Sequence, residues 1–447
     1  MPTFHLTTLG CPKNAVDSEK LAAALIGDGV EPVDDVADAD LVVLNTCAFI
    51  EAAREESVEM ALALADARRD GARLVLTGCM AERYGEELAA ALPEADAVVG
   101  FAGEASLAEA LPGAPVAVAA PRRKPQGVAD LLDLPRRAPD RPWAYLKVAE
   151  GCDRKCAFCA IPSFRGLQVS RQADAIEAEA RSLVEQGVVE LVLVAQDVAS
   201  YGRDIGEPRA LAPLMTRLDA LAASGLARQR LLYLYPSEVK GALLDAMCGL
   251  PTAVPYFDFS LQHASEPLLR RMRRWGSAER FLGIVDAVRA RRPDAAFRSS
   301  FIVGFPGERE EDHDALLAFL EEAQLDWAGF FPFSPEAGTP AADMDGAVPS
   351  ELMAERISEL GEVQDRITAA RRHLLVGTHL DVLIDEVGDG RAVGRTHREA
   401  PEIDGVIELE GFDHARPGAQ VPVLVTGVAG PDLVAEPATP ASVEQVS

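Results

Sequence analysis

The feature that most restricts the fold of this 447-residue chain is a regular alternation of short apolar runs with helical segments. Near the amino terminus the apolar runs lie at residues 4–9, 41–44 and 74–76, and helical segments such as 51–68 separate them. Parallel strands need a long crossover connection, usually a helix, so this order predicts a parallel sheet. We therefore expect an α/β domain at the amino terminus.

The same alternation resumes near residue 143 and predicts a second α/β domain. Its strand candidates lie at residues 144–148, 190–195, 230–234, 256–261, 297–303 and 327–333. Amphipathic segments such as 173–186 and 267–291 lie between them. Six βα units, rather than eight, predict an open partial (βα)6 barrel.

Two changes in composition predict domain boundaries. Residues 111–142 are rich in proline and arginine, which fits an extended linker better than a helix or a central strand. After Gly377, short β-rich runs are separated by Gly, Asp and Pro without a helical pattern, which predicts a small all-β barrel or sandwich. We expect domains at residues 1–112, 142–376 and 377–447, with a linker at 113–141.

Charge and cysteine usage restrict the class of protein. The chain has 43 Lys and Arg against 71 Asp and Glu, a net charge of -28 that repels nucleic acid and favours a basic protein partner. A signal peptide pattern is absent, and no stretch approaches the roughly 20 apolar residues of a membrane span, so we expect a cytoplasmic protein. Because the cytosol keeps thiols reduced, the seven cysteines favour metal or redox chemistry over disulfides.

Three closely spaced cysteines, Cys152, Cys156 and Cys159, follow the first predicted barrel strand. Thiolates at this spacing can ligate three irons of a cubane [4Fe–4S] cluster and leave the fourth iron open. Their loop lies at the carboxyl end of a barrel strand, where βα loops build active sites. A zinc site is the alternative, but structural zinc takes four ligands, and no nearby His or Cys supplies the fourth.

A second triad, Cys11, Cys47 and Cys79, is dispersed in the sequence, yet each member follows an apolar run. The carboxyl ends of parallel strands share one edge of a sheet, so the three thiols can converge there. Gly10 and Gly78 permit close backbone approach at this edge. Buried cysteines that act only as small apolar residues are the alternative. Three equivalent positions favour a second three-ligand cluster.

The close triad, with Phe158 before its last cysteine, resembles the signature of the radical S-adenosylmethionine (SAM) superfamily. A three-cysteine amino-terminal domain, such a barrel and a terminal domain resembling the TRAM domain together resemble the methylthiotransferase family over essentially the full length. Residues 9–14 and 16–19, with 195–197 and 201–204, are similar to the branch that acts on a ribosomal protein. The transfer-RNA branch typically has Gln-Met at the positions of Pro12 and Lys13.

The resemblance implies two [4Fe–4S] clusters, SAM and a low-potential electron donor such as flavodoxin or ferredoxin. The resemblance implies that one SAM molecule methylates sulfur on the auxiliary cluster of Cys11, Cys47 and Cys79, and that a second is cleaved to a 5′-deoxyadenosyl radical. By the same resemblance, we expect that radical to remove a β-hydrogen from an aspartate of the twelfth small-subunit ribosomal protein, and the resulting carbon radical to capture the methylthio group. Homolysis suits an unactivated C–H bond, which lacks usable acidity.

Further residues are expected near the cofactor. Gln196, Ser260, Gln262 and Gly304 lie at or near the ends of predicted barrel strands, and residues 301–308 resemble a cofactor-side motif of the superfamily. A packing role is the alternative for each of the four.

For four other side chains the sequence either leaves two roles possible or indicates a structural role. Arg165 and Arg171 follow the cluster loop and can bind carboxylates, with surface ion pairs as the alternative. His263 is expected to be a hydrogen-bonded structural residue. Cys248 has no partner at ligand spacing and is interpreted as a small apolar residue.

Residues 377–447 hold thirteen acidic and four basic residues, whereas an RNA-binding barrel should be basic. We therefore expect no direct transfer-RNA binding, and the lack of a long apolar stretch predicts no membrane association. A solubilising acidic surface is the alternative explanation. Two rival functions remain: methylthiolation of a transfer-RNA adenosine at C2, and a non-catalytic iron–sulfur protein.

Overall fold

The computed structural model describes residues 1–112, 132, 134, 136, 139–388, 391–412 and 414–438. Most of the predicted linker at 113–141, and the last residues of the acidic terminal segment, lie outside these ranges. Within them, no helix is both long enough and apolar enough to cross a membrane.

The amino-terminal part is a parallel five-stranded sheet, as the alternation predicts. Its strands are β1 (Thr3–Thr8), β2 (Glu31–Pro32), β3 (Leu41–Thr46), β4 (Arg73–Gly78) and β5 (Ala97–Val98), in the order β2-β1-β3-β4-β5. The crossovers contain helices α1 (Pro12–Gly27), α2 (Glu51–Ala67) and α3 (Cys79–Ala91). All six residues of β3 are buried, as expected for a central strand of a covered parallel sheet.

The middle part is an open barrel. Its strands and the small hairpin after the first of them are β6 (Trp143–Lys147), β7 (Ala149–Glu150), β8 (Val169–Ser170), β9 (Glu190–Val194), β10 (Arg228–Leu231), β11 (Tyr256–Gln262), β12 (Ala296–Val303) and β13 (Trp327–Pro332). Parallel pairing gives two sheets, β10-β9-β6 and β11-β12-β13, which the bridges Gln229–Ala253 and Leu234–Phe259 connect. Among the described residues no pairing joins β13 to β6, so the barrel is open.

The helices of the middle part follow the βα order. They are α4 (Ile161–Phe164), α5 (Ala173–Glu185), α6 (Leu211–Asp219), α7 (Ala242–Gly249), α8 (Glu266–Arg271), α9 (Ala278–Arg289), α10 (Glu310–Ala323) and α11 (Ser350–His373). The single segment expected at 267–291 is wrong in one respect, since two helices occupy it. Positive φ angles at Arg273 (56°) and Gly276 (139°) break the helix, and the Ser277 hydroxyl caps the start of α9.

The carboxyl-terminal part is a closed five-stranded barrel, which decides between the barrel and sandwich alternatives. Its strands are β14 (His379–Gly388), β15 (Arg391–Arg395), β16 (Ile407–Leu409), β17 (Gln420–Ala429) and β18 (Asp432–Pro437), in the order β14-β15-β16-β18-β17. β17 pairs back with β14 and closes the barrel around apolar side chains such as Val382, Val423 and Leu433.

Buried arginines join the terminal barrel to the open barrel. Arg230 pairs with Glu190 at 2.7 Å and donates to the backbone oxygen of His397 at 2.8 Å. From the other side, Arg395 pairs with Glu190 at 3.0 Å and with Asp385 at 2.6 Å. Although burial favours the neutral acid, Arg230 and Arg395 lower the pKa of Glu190 to about 2, so this contact is ionic.

Candidate iron–sulfur and cofactor site

Six of the seven cysteines line a single cavity of about 1370 Å³. Cys11 caps the start of α1 after β1, Cys47 follows β3, and Cys79 opens α3 directly after β4. The close triad, 152–159, occupies the loop after β7. The sheet edge of the first domain and the mouth of the open barrel therefore face the same cavity.

Two glycines allow the dispersed cysteines to approach one another. Gly10 has a φ of +97°, and a Cβ there would lie 2.9 Å from the sulfur of Cys47. Gly78 has a φ of +86°, and a Cβ there would lie 2.2 Å from the side-chain oxygen of Asn45. Any other residue would meet both strain from the positive φ angle and steric overlap at these positions.

Arg165 crosses from the barrel loop into the first domain and contacts the dispersed triad. Its guanidinium donates to the sulfur of Cys79 at 3.0 Å and to the side-chain oxygen of Asn14 at 2.7 Å. The same side chain pairs with Asp17 at 3.1 Å and Glu150 at 2.9 Å. Arg165 therefore pairs with carboxylates of the chain itself, as in the ion-pair alternative, but these pairs are buried rather than at the surface.

Lys147 completes this buried charge cluster, which we define as Asp17, Lys147, Glu150 and Arg165. Its ammonium contacts both carboxylates, so two cations face two anions. Burial disfavours the charge of Glu150, but Arg165 and Lys147 lower its pKa to about 2. The cluster is therefore ionised, and it connects α1 of the first domain to the cysteine-bearing loop of the barrel.

Arg171 also meets a carboxylate, but outside the lining of the cavity. It pairs with Glu179 at 2.7 Å and donates to the backbone oxygen of Lys147 at 3.0 Å. It is buried, so the surface ion pair considered for it is absent. Arg171 supports the strand that precedes the cysteine loop.

The cysteine side chains differ in their acidity. Burial raises the pKa of Cys79 and Cys159 to about 12 and that of Cys152 to about 11. At Cys11 burial acts in the same direction, but the positive charges of Lys13 and Arg165 outweigh it and lower the pKa. Metal ligands must be thiolates, so binding of iron at these positions releases protons.

The donor set fits iron–sulfur clusters. In the described part of the chain, no three His, Cys, Asp or Glu side chains are close enough to share one metal ion. A cubane cluster does not need such closeness, because each thiolate binds its own iron. Cationic groups also reach the sulfurs, since Arg274 lies 3.5 Å from the sulfur of Cys156.

Four of the five residues expected to contact the cofactor line the same cavity: Phe158, Gln196, Ser260 and Gln262. Gln262 has a φ of 71°, a strained conformation of the kind that persists at functional sites. Two buried acceptors on the wall, Gln196 Oε1 and Asp197 Oδ1, have no hydrogen-bond partner among the described residues. They are suitably placed for a donor group of a ligand.

Gly304 is the exception among the expected contacts. It does not line the cavity, and a Cβ there would lie 2.1 Å from the sulfur of Met353 in α11. Its backbone N–H donates to the Glu308 carboxylate at 2.6 Å. Its geometry is that of a close-packing position, and its contact with the cofactor stays a prediction.

Several residues of the cavity wall escaped the sequence analysis. Tyr235 lies between two guanidinium groups, those of Arg154 at 3.7 Å and Arg274 at 4.1 Å from the ring centre. The wall also includes Lys13, Tyr233 and Arg298. Arg154 lies within the cysteine motif and was visible there, whereas Arg274 reaches the cavity only because the helix breaks between α8 and α9.

The two structural assignments agree with the geometry. His263 is buried, and its Nδ1 accepts a hydrogen bond from the backbone N–H of Ser265 at 3.0 Å. Burial lowers its pKa to about 4, so it is neutral. Cys248 packs against the barrel core and does not line the cavity.

Family models match three successive parts of the chain. They are the uncharacterized protein family UPF0004 over residues 3–100, the radical SAM superfamily over residues 146–320 and the TRAM domain over residues 376–437. The order agrees with that expected from the resemblance.

Full-length relatives and solved structures agree with these matches. The chain is 44% identical to the ribosomal protein uS12 methylthiotransferase RimO of Kineococcus radiotolerans, with 98% of both chains covered. The protein of the same name from Cutibacterium acnes is 43% identical, again with 98% of both covered. In structure, the chain is similar to the radical S-adenosylmethionine methyltransferase TsrM of Kitasatospora setae, with a TM-score of 0.56 at 17% identity over 76% of this chain and 77% of that one.

The structural similarity at this identity shows the fold alone, whereas the full-length relatives show the family. Radical SAM enzymes use SAM and an iron–sulfur cluster, and the cavity supplies thiols for such a group. The chain therefore belongs to the methylthiotransferase family of radical SAM enzymes.

Proposed function

We propose that this chain methylthiolates the β-carbon of an aspartate in ribosomal protein uS12, with two SAM molecules and two [4Fe–4S] clusters. The observation that carries the proposal is the placement of both cysteine triads on the wall of one cavity. A side chain held in that cavity is accessible to groups bound at either triad. Close relatives that carry the uS12 methylthiotransferase name over almost the whole length support the substrate.

We assign the auxiliary cluster to Cys11, Cys47 and Cys79, and the radical SAM cluster to the triad at 152–159. When bound, these groups supply one-electron cleavage of the SAM sulfonium and a sulfur atom for transfer. The protein orients them: Gly10 and Gly78 let the dispersed thiols converge, and Arg165 donates to Cys79.

The SAM contacts follow from the unpaired groups of the wall. Gln196 Oε1 and Asp197 Oδ1 would accept hydrogen bonds from the SAM amino group, because both are buried without a partner in the described chain. Arg274, beside Cys156, would bind the SAM carboxylate. Phe158, Ser260 and Gln262 complete the proposed contacts at the barrel mouth, and the contribution of Gly304 is proposed to be packing beneath it.

The terminal barrel favours a basic protein substrate over transfer RNA. Its segment contains thirteen acidic residues against four basic ones, and opposite charges steer association. Glu402 and Ile403 of this segment also line the cavity, so a partner bound there is close to the site. A cytoplasmic location, a flavodoxin or ferredoxin as electron donor, and domain limits at 1–112, 142–376 and 377–447 belong to the same proposal.

The decisive experiment is intact-mass and peptide spectrometry after anaerobic incubation of the reconstituted enzyme with SAM, sulfide, reductant, and either uS12 or transfer RNA. A gain of about one SCH2 unit on an aspartate of uS12 is the expected result. Modification of transfer RNA alone would overturn the substrate, and no 5′-deoxyadenosine with either substrate would favour a non-catalytic iron–sulfur protein.

Cysteine variants test the ligand assignments. We expect Cys156→Ala to abolish 5′-deoxyadenosine formation and Cys47→Ala to preserve it, each with a loss of about four of about eight irons per chain. Cys248→Ala is the matched control, because that thiol packs outside the cavity and its loss should leave the iron content unchanged. Equal iron in all three variants would contradict both assignments.

A further inference from the structure

The cations of the cavity wall differ in whether a carboxylate compensates them. Six such side chains line the cavity: Lys13, Arg141, Arg154, Arg165, Arg274 and Arg298. Four of the arginines pair with carboxylates at 3.2 Å or less: Arg141 with Glu402, Arg154 with Asp197, Arg165 with Glu150 and Arg298 with Asp258. Across the described residues, Lys13 and Arg274 have no carboxylate within ion-pair distance. Two cations of the wall therefore have no carboxylate partner in the described part of the chain.

The two uncompensated cations lie beside different triads. Arg274 contacts the sulfur of Cys156 and donates to the backbone oxygen of Ser260, which places it at the barrel mouth. Lys13 is two residues from Cys11 and belongs to the first domain. The carboxylate of SAM accounts for Arg274, whereas Lys13, whose charge also acts on the thiol of Cys11, has no carboxylate partner in the described chain.

Lys13 occupies a position that is unfavourable for a cation without an anion. Its residue is 8% exposed, and it lies in the first turn of α1, where the positive end of the helix dipole opposes a positive charge. The charge of Arg165 lies in the same region, since both cations lower the pKa of Cys11. Burial of an uncompensated ammonium group is costly, so a site of this kind is built for an incoming negative charge.

The partner that Lys13 does have is an aromatic ring. Its ammonium lies 3.5 Å from the ring centre of Tyr233, which also lines the cavity. Tyr233 has a φ of 61°, and the carboxylate of Asp258 accepts a hydrogen bond from its backbone N–H at 2.9 Å. A strained backbone thus holds the ring beneath the ammonium, and a cation–π contact fixes its direction without neutralising it.

We propose that Lys13 binds the side-chain carboxylate of the substrate aspartate and thereby makes the enzyme select an acid over an amide at the modified position. The inference rests on the proposed function, because it takes the aspartate as substrate. The carboxylate carbon is bonded to the β-carbon, so anchoring it at Lys13 brings the reacting carbon next to Cys11 and the proposed sulfur source. Lys13 then determines specificity and positions the substrate.

The test compares two substrates with four forms of the full-length reconstituted enzyme. The substrates are uS12 and uS12 with the target aspartate changed to asparagine, which keeps the β-hydrogens and removes the charge. The enzymes are the wild type, Lys13→Gln, the charge-conserving Lys13→Arg, and Lys240→Gln as a matched control at an exposed lysine outside the cavity. The readouts are kcat/KM for each substrate, iron content, and 5′-deoxyadenosine formed without substrate.

We expect the wild type to prefer aspartate to asparagine by about 30-fold in kcat/KM, the factor that corresponds to about 2 kcal/mol for loss of one partner of a buried charge pair. Lys13→Gln should lose this preference, while its 5′-deoxyadenosine formation without substrate should match that of the wild type, because the triad at 152–159 is the site proposed for that reaction. Lys13→Arg should retain most of the preference, and Lys240→Gln should match the wild type.

The outcomes separate this inference from the proposed function. Undiminished discrimination in Lys13→Gln, or a preference lost equally in Lys13→Arg, would overturn the role of Lys13 while the wild type still modifies uS12. A wild type that does not modify aspartate-containing uS12 would overturn the proposed function, and the role of Lys13 with it.

Discussion

Replacement of Arg165 by methionine tests whether the buried charge cluster joins the first domain to the barrel. The change keeps an unbranched side chain as far as the position of the arginine Nε and removes the charged guanidinium, so Lys147 alone would face the carboxylates of Asp17 and Glu150. Lys147 contacts both acids and compensates part of the loss. Removing one partner of a buried ion pair costs about 3–5 kcal/mol. Because Lys147 remains, we expect the free energy of unfolding to fall by the lower value, about 3 kcal/mol.

Restoring the charge balance should recover part of that stability. In the double variant Arg165→Met/Glu150→Gln, one cation faces one anion again, so we expect the two losses to be non-additive by about 2 kcal/mol. The control is Arg181→Met, which removes an exposed pair with Glu177, and its cost should stay below about 1 kcal/mol.

The assay is equilibrium urea unfolding of the cluster-free chain under anaerobic reducing conditions, followed by circular dichroism. Removing the clusters before unfolding prevents metal binding from contributing to the measured free energy. A loss for Arg165→Met no larger than that for Arg181→Met would refute the reasoning, as would strict additivity in the double variant.

Two further predictions concern the edge of the first sheet. Gly78→Ala should reduce the iron content of the auxiliary site and the stability of the chain much more than Gly71→Ala. Both glycines have φ near +85°, but only at Gly78 would a Cβ overlap neighbouring atoms. Iron analysis and urea unfolding of the two variants check this prediction, and equal effects would contradict it. Burial raises the pKa of Glu104 to about 8, so the folded chain keeps a proton that the unfolded chain loses above about pH 4.5. The contribution of neutral Glu104 to the free energy of unfolding is therefore fully present at low pH and is lost as the pH rises towards 8. The stability of the wild type relative to Glu104→Gln should therefore fall by up to about 1.4 kcal/mol per pH unit between pH 5 and 7 in urea unfolding, and a difference that is independent of pH would refute the raised pKa.

Patterns of apolar residues along the chain predicted most of the secondary structure and the order of the domains. Alternating apolar runs predicted both parallel sheets, because side-chain burial in a strand and in a helix has its own period along the chain. The pattern did not predict where a helix ends when a few backbone angles cause the break. Residues 267–291 have the pattern of one amphipathic segment, but positive φ angles at Arg273 and Gly276 divide it into two helices. After Gly377 the sequence shows β-rich runs at 379–384, 405–409 and 419–428, which do not include β15 and β18, and the 24-residue helix α11 was not predicted.

The spacing of the cysteine triads, and their positions after predicted strands, were enough to predict thiol ligands at two strand edges. The sequence did not predict that both edges face one cavity, that Arg165 reaches Cys79, or that Lys13 lies over Tyr233, and these contacts are visible only in the folded chain. The physical reason is that spacing and periodicity report on neighbours along the chain. The contacts of Arg165 with Cys79 and Asp17 join residues 86 and 148 positions apart, and the packing of one domain on another sets their distances.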